Sequence, residues 1–345
     1  MGNPQENPLL SVIVPVFNEE KVLTALYERT YPILSSITDN FEIIFVNDGS
    51  TDNSLDKIRT LCSDDNRVKL IDLSRNFGKE VAMSAGLDFC RGEAVVIIDA
   101  DLQDPPELIP SMVEKWREGF DVVYATRTSR QGETFLKKAT AEFFYRVIGR
   151  LSRTEIPRNT GDFRLMNRRT VEALKLLREQ NRFMKGLFSW VGFEQVSIPY
   201  LREPRVAGGT KWNYWKLWNF AIEGITSFSY VPLQVAGYLG LLVAAVSFLY
   251  AAYLVIRTFL FGIDVPGYAS LMVAILFFSG VQLLVLGVLG EYLGRISHET
   301  KRRPLYIIKD LAGIDPSHNQ YVFLEYGEAL GKIRANENKD DIRNL

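Results

Sequence analysis

The chain has 345 residues, room for about two domains. Its 40 Lys and Arg against 41 Asp and Glu leave a net charge of −1, which gives no support for a nucleic-acid partner. Cys62 and Cys90 form no C-x-x-C pair, and the only histidines, His298 and His318, fall late, which argues against zinc sites, H-E-x-x-H metalloproteases and Ser-His-Asp catalysis.

Residues 1–8 are short and polar, without the apolar run of a secretory signal, so the catalytic part is expected in the cytoplasm. A buried strand follows from Leu9 to Phe17, then a helix from Asn18-Glu19-Glu20 to about Leu34. Phe41 to Val46 is a second strand. It ends in Asn47-Asp48-Gly49-Ser50-Thr51-Asp52, where the glycine permits a turn and Ser50, Thr51 or Asp52 can cap a helix over 53–62. Val68 to Leu73 is a third strand, Arg75-Asn76-Phe77-Gly78-Lys79 a connection, and Glu80 to Cys90 a helix.

Val95 to Ile98 are four β-branched residues in a row, read as a buried parallel strand. The chain then turns polar, with Asp99, Asp101 and Gln103 at alternate positions. An extended segment would point all three the same way, at the strand end where open α/β sheets bind ligands and where a hard divalent cation can sit. Asp104-Pro105-Pro106-Glu107 reads as a helix start, with Asp104 as N-cap and Glu107 as the returning acid.

Strands continue at Asp121 to Thr126, Gly161 to Asn167 and Glu194 to Tyr200, with a helix from Arg169 to Leu177. Between the first two lie a polar loop, 128–133, and a helix with Lys137-Lys138 and the cluster Phe143-Phe144-Tyr145. The alternation predicts an α/β fold: a mostly parallel, Rossmann-like sheet with helices on both faces, over residues 9–205.

In 206–228, Trp212, Trp215 and Trp218 recur every three residues among basic side chains, as on an interfacial amphipathic helix or a packed helix face. Val231 to Ile256 and Val265 to Gly290 carry no charge; each covers roughly 39 Å as a helix, enough for a bilayer core. Two transmembrane helices, 229–256 and 265–293, are therefore expected. The positive-inside bias places the flanking segments, including 294–345, in the cytoplasm. Gly290 and Gly294 have the G-x-x-x-G spacing of close helix packing, and the sequence allows a homo-oligomer. Leu305 to Ile308 reads as a docking strand, and the charged tail after Gly331 as disordered.

Neither G-x-G-x-x-G after the first strand nor a P-loop is present. Instead Asn18, Glu19, Asp48, Asp99 and Asp101 stand at strand ends, where carboxylates suit ribose hydroxyls, base N–H groups and a divalent metal, with Lys79 as a diphosphate partner. Asp48 also reads as an Asx-turn residue, and Glu19 as a helix-dipole partner.

The segments Val14-Pro15-Val16-Phe17-Asn18-Glu19, Val46 to Asp52, Arg75 to Lys79 and Asp99 to Pro106 together resemble the family-2 glycosyltransferases of GT-A fold. More narrowly they resemble the polyprenyl-phosphate sugar transferases related to dolichol-phosphate-mannose synthase. With Asp162-Phe163-Arg164-Leu165, Lys185 to Gly192 and two C-terminal spans, the likeness is to bacterial bactoprenol glucosyltransferases. The resemblance covers about residues 9 to 200.

The resemblance implies a nucleotide-sugar donor, most simply UDP-glucose, and a polyprenyl phosphate acceptor at the membrane. Mg2+ or Mn2+ would be held by Asp99, Asp101 and Gln103. Pro15, Asn18, Glu19 and Asp48 fall at base and ribose contacts, with Arg75 and Lys79 near the nucleotide. Arg127 matches a lipid-phosphate arginine, with Lys137, Lys138 and Arg164 as further phosphate partners. Asp162 stands where relatives carry a base, or else orients the sugar or Arg164. Alternatives are the same reaction with GDP-mannose or a UDP-aminoarabinose derivative, a processive synthase, which lacks its Q-x-x-R-W motif here, and a membrane-tethered nucleotide-binding partner without turnover.

Overall fold

The computed structural model describes residues 8–128, 157, 160–180, 182–201, positions scattered between 238 and 261, and 267–315. Lys137, Lys138, the cluster Phe143-Phe144-Tyr145, the 206–228 segment with its tryptophans and the tail after Gly331 lie outside the described residues. The chain forms two compact units. One comprises Met1–Tyr145, Thr154–Lys211 and Pro304–Leu345; the other comprises Arg146–Arg153 and Trp212–Arg303.

The first unit is built on an eight-stranded sheet ordered β7-β5-β6-β4-β1-β2-β3-β8. In chain order its elements are β1 (Leu10–Val16), α1 (Leu23–Ile37), β2 (Phe41–Asn47), α2 (Ser54–Asp64), β3 (Val68–Leu73), α3 (Lys79–Phe89) and β4 (Ala94–Ile97). Then come a 3-10 turn (Pro106–Leu108), α4 (Ile109–Arg117), β5 (Val122–Arg127), β6 (Thr160–Asn167), α5 (Arg168–Lys175), α6 (Met184–Trp190), β7 (Gln195–Tyr200) and β8 (Ile308–Ala312).

The apolar runs of β1, β2 and β4 are buried on both faces, as expected of central parallel strands. Two strands depart from the parallel expectation: β6 runs against β4 and β5, and β8 runs against β3. The docking strand begins at Ile308, three residues later than the sequence pattern suggests. Leu305 to Ile307 instead lead into it, with Ile307 O accepting from Ser74 N at 2.9 Å. The helix α6 carries no clear periodic signal and was not anticipated.

Two local expectations are corrected. Asp104 is not a helix N-cap, because Pro105 holds that position without a side-chain bond. Glu107 does not return to the cap; it forms two bonds to Arg29, at 2.7 and 2.9 Å.

In the second unit, the described residues between 238 and 261 are helical. A further helix, α7 (Tyr268–Thr300), runs for 33 residues. Its stretch Phe277–Thr300 is the one helix among the described residues that is long and apolar enough to cross a membrane, and none of its apolar window is buried. Open space lies where a Cβ would stand at Gly290 and Gly294.

Candidate active site

The order β3-β2-β1-β4 places a topological switch point between β1 and β4, where crossovers leave to opposite sides and open sheets admit ligands. Pro15 marks the gap. Ile13 O accepts from Ile98 N, so its neighbour two residues on, Pro15, faces the same side, beyond the last β4 partner, Ile97. Its missing N–H therefore deprives no strand of a bond.

Two loops beside this gap are fastened together. Asn18 adopts φ 56°, a left-handed conformation that asparagine tolerates. Its Oδ1 accepts from Thr51 N at 2.8 Å and from the Thr51 hydroxyl at 3.3 Å, and its own N–H reaches Ser50 Oγ at 3.0 Å. Glu19 N donates to Ser54 Oγ at 2.9 Å. The N-cap of α2 is Asn53, which makes no side-chain cap bond, so none of Ser50, Thr51 and Asp52 holds that position; Asp52 Oδ1 accepts Ser54 N at 3.0 Å from just outside it.

The buried Asp48 carboxylate binds the next loop. Oδ1 accepts Phe77 N at 2.7 Å and Oδ2 accepts Gly78 N at 2.9 Å. Burial raises its pKa above the ordinary value, against the opposing pull of those amides and Arg75. The close approach depends on Gly49, which has φ 64°; a Cβ there would lie 2.5 Å from Arg75 C and 2.6 Å from Asn76 N. Arg75 is exposed, stacks over the Phe77 ring at 4.0 Å and donates to Asn76 O at 3.0 Å.

Asp99, Asp101 and Gln103 do not continue the strand. β4 ends at Ile97, a turn covers Ala100 and Asp101, and Leu102 has φ 58°. The alternation argument therefore fails here, since it holds only for extended backbone. Gln103 N donates to Asp101 Oδ1 at 3.2 Å, which folds the turn on itself.

Lys79, the first residue of α3, stands between two carboxylates. Its Nζ is 2.7 and 2.8 Å from the oxygens of Asp99 and 2.5 Å from Asp162 Oδ2. Burial works against the ammonium, but both carboxylates outweigh it and hold its pKa above the usual lysine value. For Asp162, burial is likewise outweighed, by Lys79, Lys185 and Arg164, and the carboxyl stays well below the ordinary range. Its Oδ1 is buried without a hydrogen-bond partner.

Arg164 is buried two residues further along β6. Its guanidinium stacks on Phe188 at 3.7 Å and donates to Gly161 O at 3.1 Å and Asp162 O at 3.4 Å. Burial lowers its pKa to about 10 against the charges of Asp162 and Glu80. At the end of β5, Arg127 Nε donates to Tyr200 Oη at 3.3 Å, and the Tyr200 hydroxyl donates to Asp104. Gly161 leaves room for this arginine, since a Cβ there would lie 3.1 Å from Arg127 Nη2.

The structure thus gathers Lys79, Asp99, Asp162 and Arg164, and ties Arg127 to Asp104 through Tyr200. Glu80, Lys185 and Tyr200 were not among the residues the sequence reading assigned to the site. Their signals were an acid directly after Lys79, a lysine opening α6, and a tyrosine closing a strand.

Residues 11–175 match the model of glycosyl transferase family 2, and residues 231–296 match a GtrB C-terminal hairpin. An uncharacterized glycosyltransferase of Synechocystis sp. is 56% identical, over 89% of this chain and 96% of its own. The bactoprenol glucosyl transferase of Shigella phage SfV is 51% identical, over 87% of this chain and 98% of its own. A prophage bactoprenol glucosyl transferase homolog of Escherichia coli is 49% identical, over 87% and 98%.

The chain belongs to glycosyl transferase family 2. It is a glycosyltransferase with a mostly parallel GT-A sheet.

In this family 2 enzyme three oxygen-bearing side chains follow β4. Asp99, Asp101 and Gln103 offer two carboxylates and an amide, all oxygen donors, as a hard divalent cation shared with substrate phosphates requires. The side chain of Asp99 is 19% exposed, and both its oxygens lie within 2.8 Å of Lys79 Nζ. Among the described residues no group of three or more His, Cys, Asp and Glu side chains is assembled to hold a metal.

Proposed function

We propose that this glycosyltransferase moves a hexose, glucose from UDP-glucose, onto undecaprenyl or another polyprenyl phosphate at the cytoplasmic face of the plasma membrane. The observation that carries the reading is a relative named bactoprenol glucosyl transferase, half-identical over 98% of its own length. The hairpin match at 231–296 and the apolar helix α7 support a two-span anchor.

In the proposed reaction an acceptor phosphate oxygen forms a bond to the anomeric carbon as the bond to UDP breaks, with inversion. Asn18, Glu19, Asp48 and Arg75 shape the nucleoside end of the donor pocket, beside Pro15. Asp99, Asp101 and Gln103 would hold Mg2+ or Mn2+, which supplies positive charge to the leaving diphosphate. Arg127, steadied by Tyr200, receives the acceptor phosphate at the end of β5, with Lys137 and Lys138 as further phosphate partners.

A phosphate monoester is largely ionised at neutral pH and needs little help from a base. Asp162, ionised and paired with Lys79, is a poor proton acceptor, which suits orientation rather than general-base work. Arg164 keeps Asp162 in place through its backbone and charge.

The test incubates purified protein with undecaprenyl phosphate and a panel of labelled sugar nucleotides, with Mg2+, Mn2+ or EDTA. A lipid-soluble labelled product from UDP-glucose, abolished by EDTA, is expected. Product from GDP-mannose or a UDP-aminoarabinose derivative alone would change the donor, and product from none would end the transferase-to-lipid reading.

A further inference from the structure

Glu80 follows Lys79 in the first turn of α3, yet its carboxylate reaches a different element. Oε2 accepts the backbone N–H of Met184, the first residue of α6, at 2.9 Å. Early helix amides lack partners within their own helix, and Phe183, which occupies the N-cap of α6, gives no side-chain bond. The neighbourhood is packed as well as bonded. Ser84 Oγ donates to Glu80 O at 2.8 Å and lies 3.9 Å from Met184 Sδ, while Arg182 Nη2 lies 3.7 Å from the same sulfur.

The short α6 carries two groups that act on the site. Phe188 provides the ring on which Arg164 stacks, and the charge of Lys185 acts on Asp162. We propose that Glu80 is a positioning residue for glycosyl transfer: by pinning the start of α6 to α3, it sets where Phe188 and Lys185 stand against Arg164 and Asp162. This rests on the transferase reading above. The pin ties Lys79, on the same helical turn, to the opposite wall of the site, so one side chain registers both.

The charged groups around Glu80 are Lys79 on α3, Asp162 and Arg164 on β6, Lys185 on α6 and Arg182 just before it. Burial first, then Asp162, lift the Glu80 carboxyl to about 7 against Met184 N–H, Lys79 and Lys185. Its acceptor role does not require the charge. Glutamine can accept the same N–H, whereas alanine cannot.

The experiment compares wild type, Glu80→Gln and Glu80→Ala by steady-state transfer and by amide exchange across Met184–Trp190. Glu80→Ala should lower kcat about ten-fold, with donor KM within about two-fold, because the loss is of orientation rather than donor contact. It should also speed exchange in α6. Glu80→Gln should recover most of the turnover and the protection. Unchanged kcat in Glu80→Ala, or equal losses in both variants, overturns the proposal. A wild type with no transferase activity overturns the functional reading instead, and the exchange arm still decides whether Glu80 pins α6.

Discussion

Lys79 shows how one side chain changes meaning between sequence and structure. In the sequence it is a cation after a glycine, suited to a diphosphate. In the structure its ammonium is shared between Asp99 and Asp162, although its side chain remains 42% exposed. The pair gives a pH signature. The Asp162 carboxyl titrates below its ordinary value of about 3.9, so an unfolded chain takes up that proton first as pH falls. The stability difference between wild type and Asp162→Asn should therefore shrink as pH falls from about 5 to below about 4. Thermal unfolding of both proteins across that range checks it, and a difference that grows with acid would contradict the assignment. Asp48 is the counterpart: it makes no Asx-turn, since its carboxylate fastens the distant 77–78 amides, while the local turn bond runs from Ser50 N to Asn47 Oδ1.

At the level of elements, the turn after β2 depends on a residue without a side chain. Gly49→Ala places a Cβ against the backbone of Arg75 and Asn76 in a left-handed conformation, so both strain and clash oppose it. A loss of more than about 1 kcal/mol is expected, read as a lowered Tm, together with a raised donor KM. An unchanged Tm would mean the loops can part freely. Most elements here were legible because buried parallel strands and amphipathic helices write themselves as periodicity: β1 to β4, α2 and α3 fall within two residues of expectation, whereas α1 begins at Leu23, five residues after Asn18. What the sequence hid was non-local. The reversed direction of β6 depends on which strand it meets, the turn at Leu102 breaks an alternation that looked extended, and α6 is a short helix held by Glu80 and packing rather than by propensity. Arg127 could be picked out from its motif, but its partners Tyr200 and Asp104 lie on other elements.

On the scale of the whole molecule, the sheet-bearing unit is discontinuous: its segments at Thr154–Lys211 and Pro304–Leu345 bracket Trp212–Arg303, the larger piece of the second unit, in sequence. The returning segment is well tied. Tyr306 Oη donates to buried Asp88 at 2.7 Å, Arg178 holds the same carboxylate at 2.7 and 3.0 Å, and Arg59 pairs with Asp310 at 3.0 Å. Tyr306→Phe should cost about 1–3 kcal/mol, because one bond to a buried carboxylate is lost while Arg178 keeps its charge paired. Removing residues 304–345 goes further and bares the edge of β3, so lowered Tm and self-association by size-exclusion chromatography are expected. A monodisperse protein of unchanged Tm would show that β8 is dispensable.

The place of β8 in the chain also imposes a schedule. Tyr306 follows Asp88 by 218 residues, and a ribosome adding about 5–20 residues per second needs on the order of 10 to 40 s to cross that distance. For the later part of that interval, once β7 has ended at Tyr200, the nascent sheet has every strand but its last. The enzyme reaches its finished form only once the apolar hairpin segment has been made, which gives the cell a window in which an incomplete copy is recognisable by its open flank.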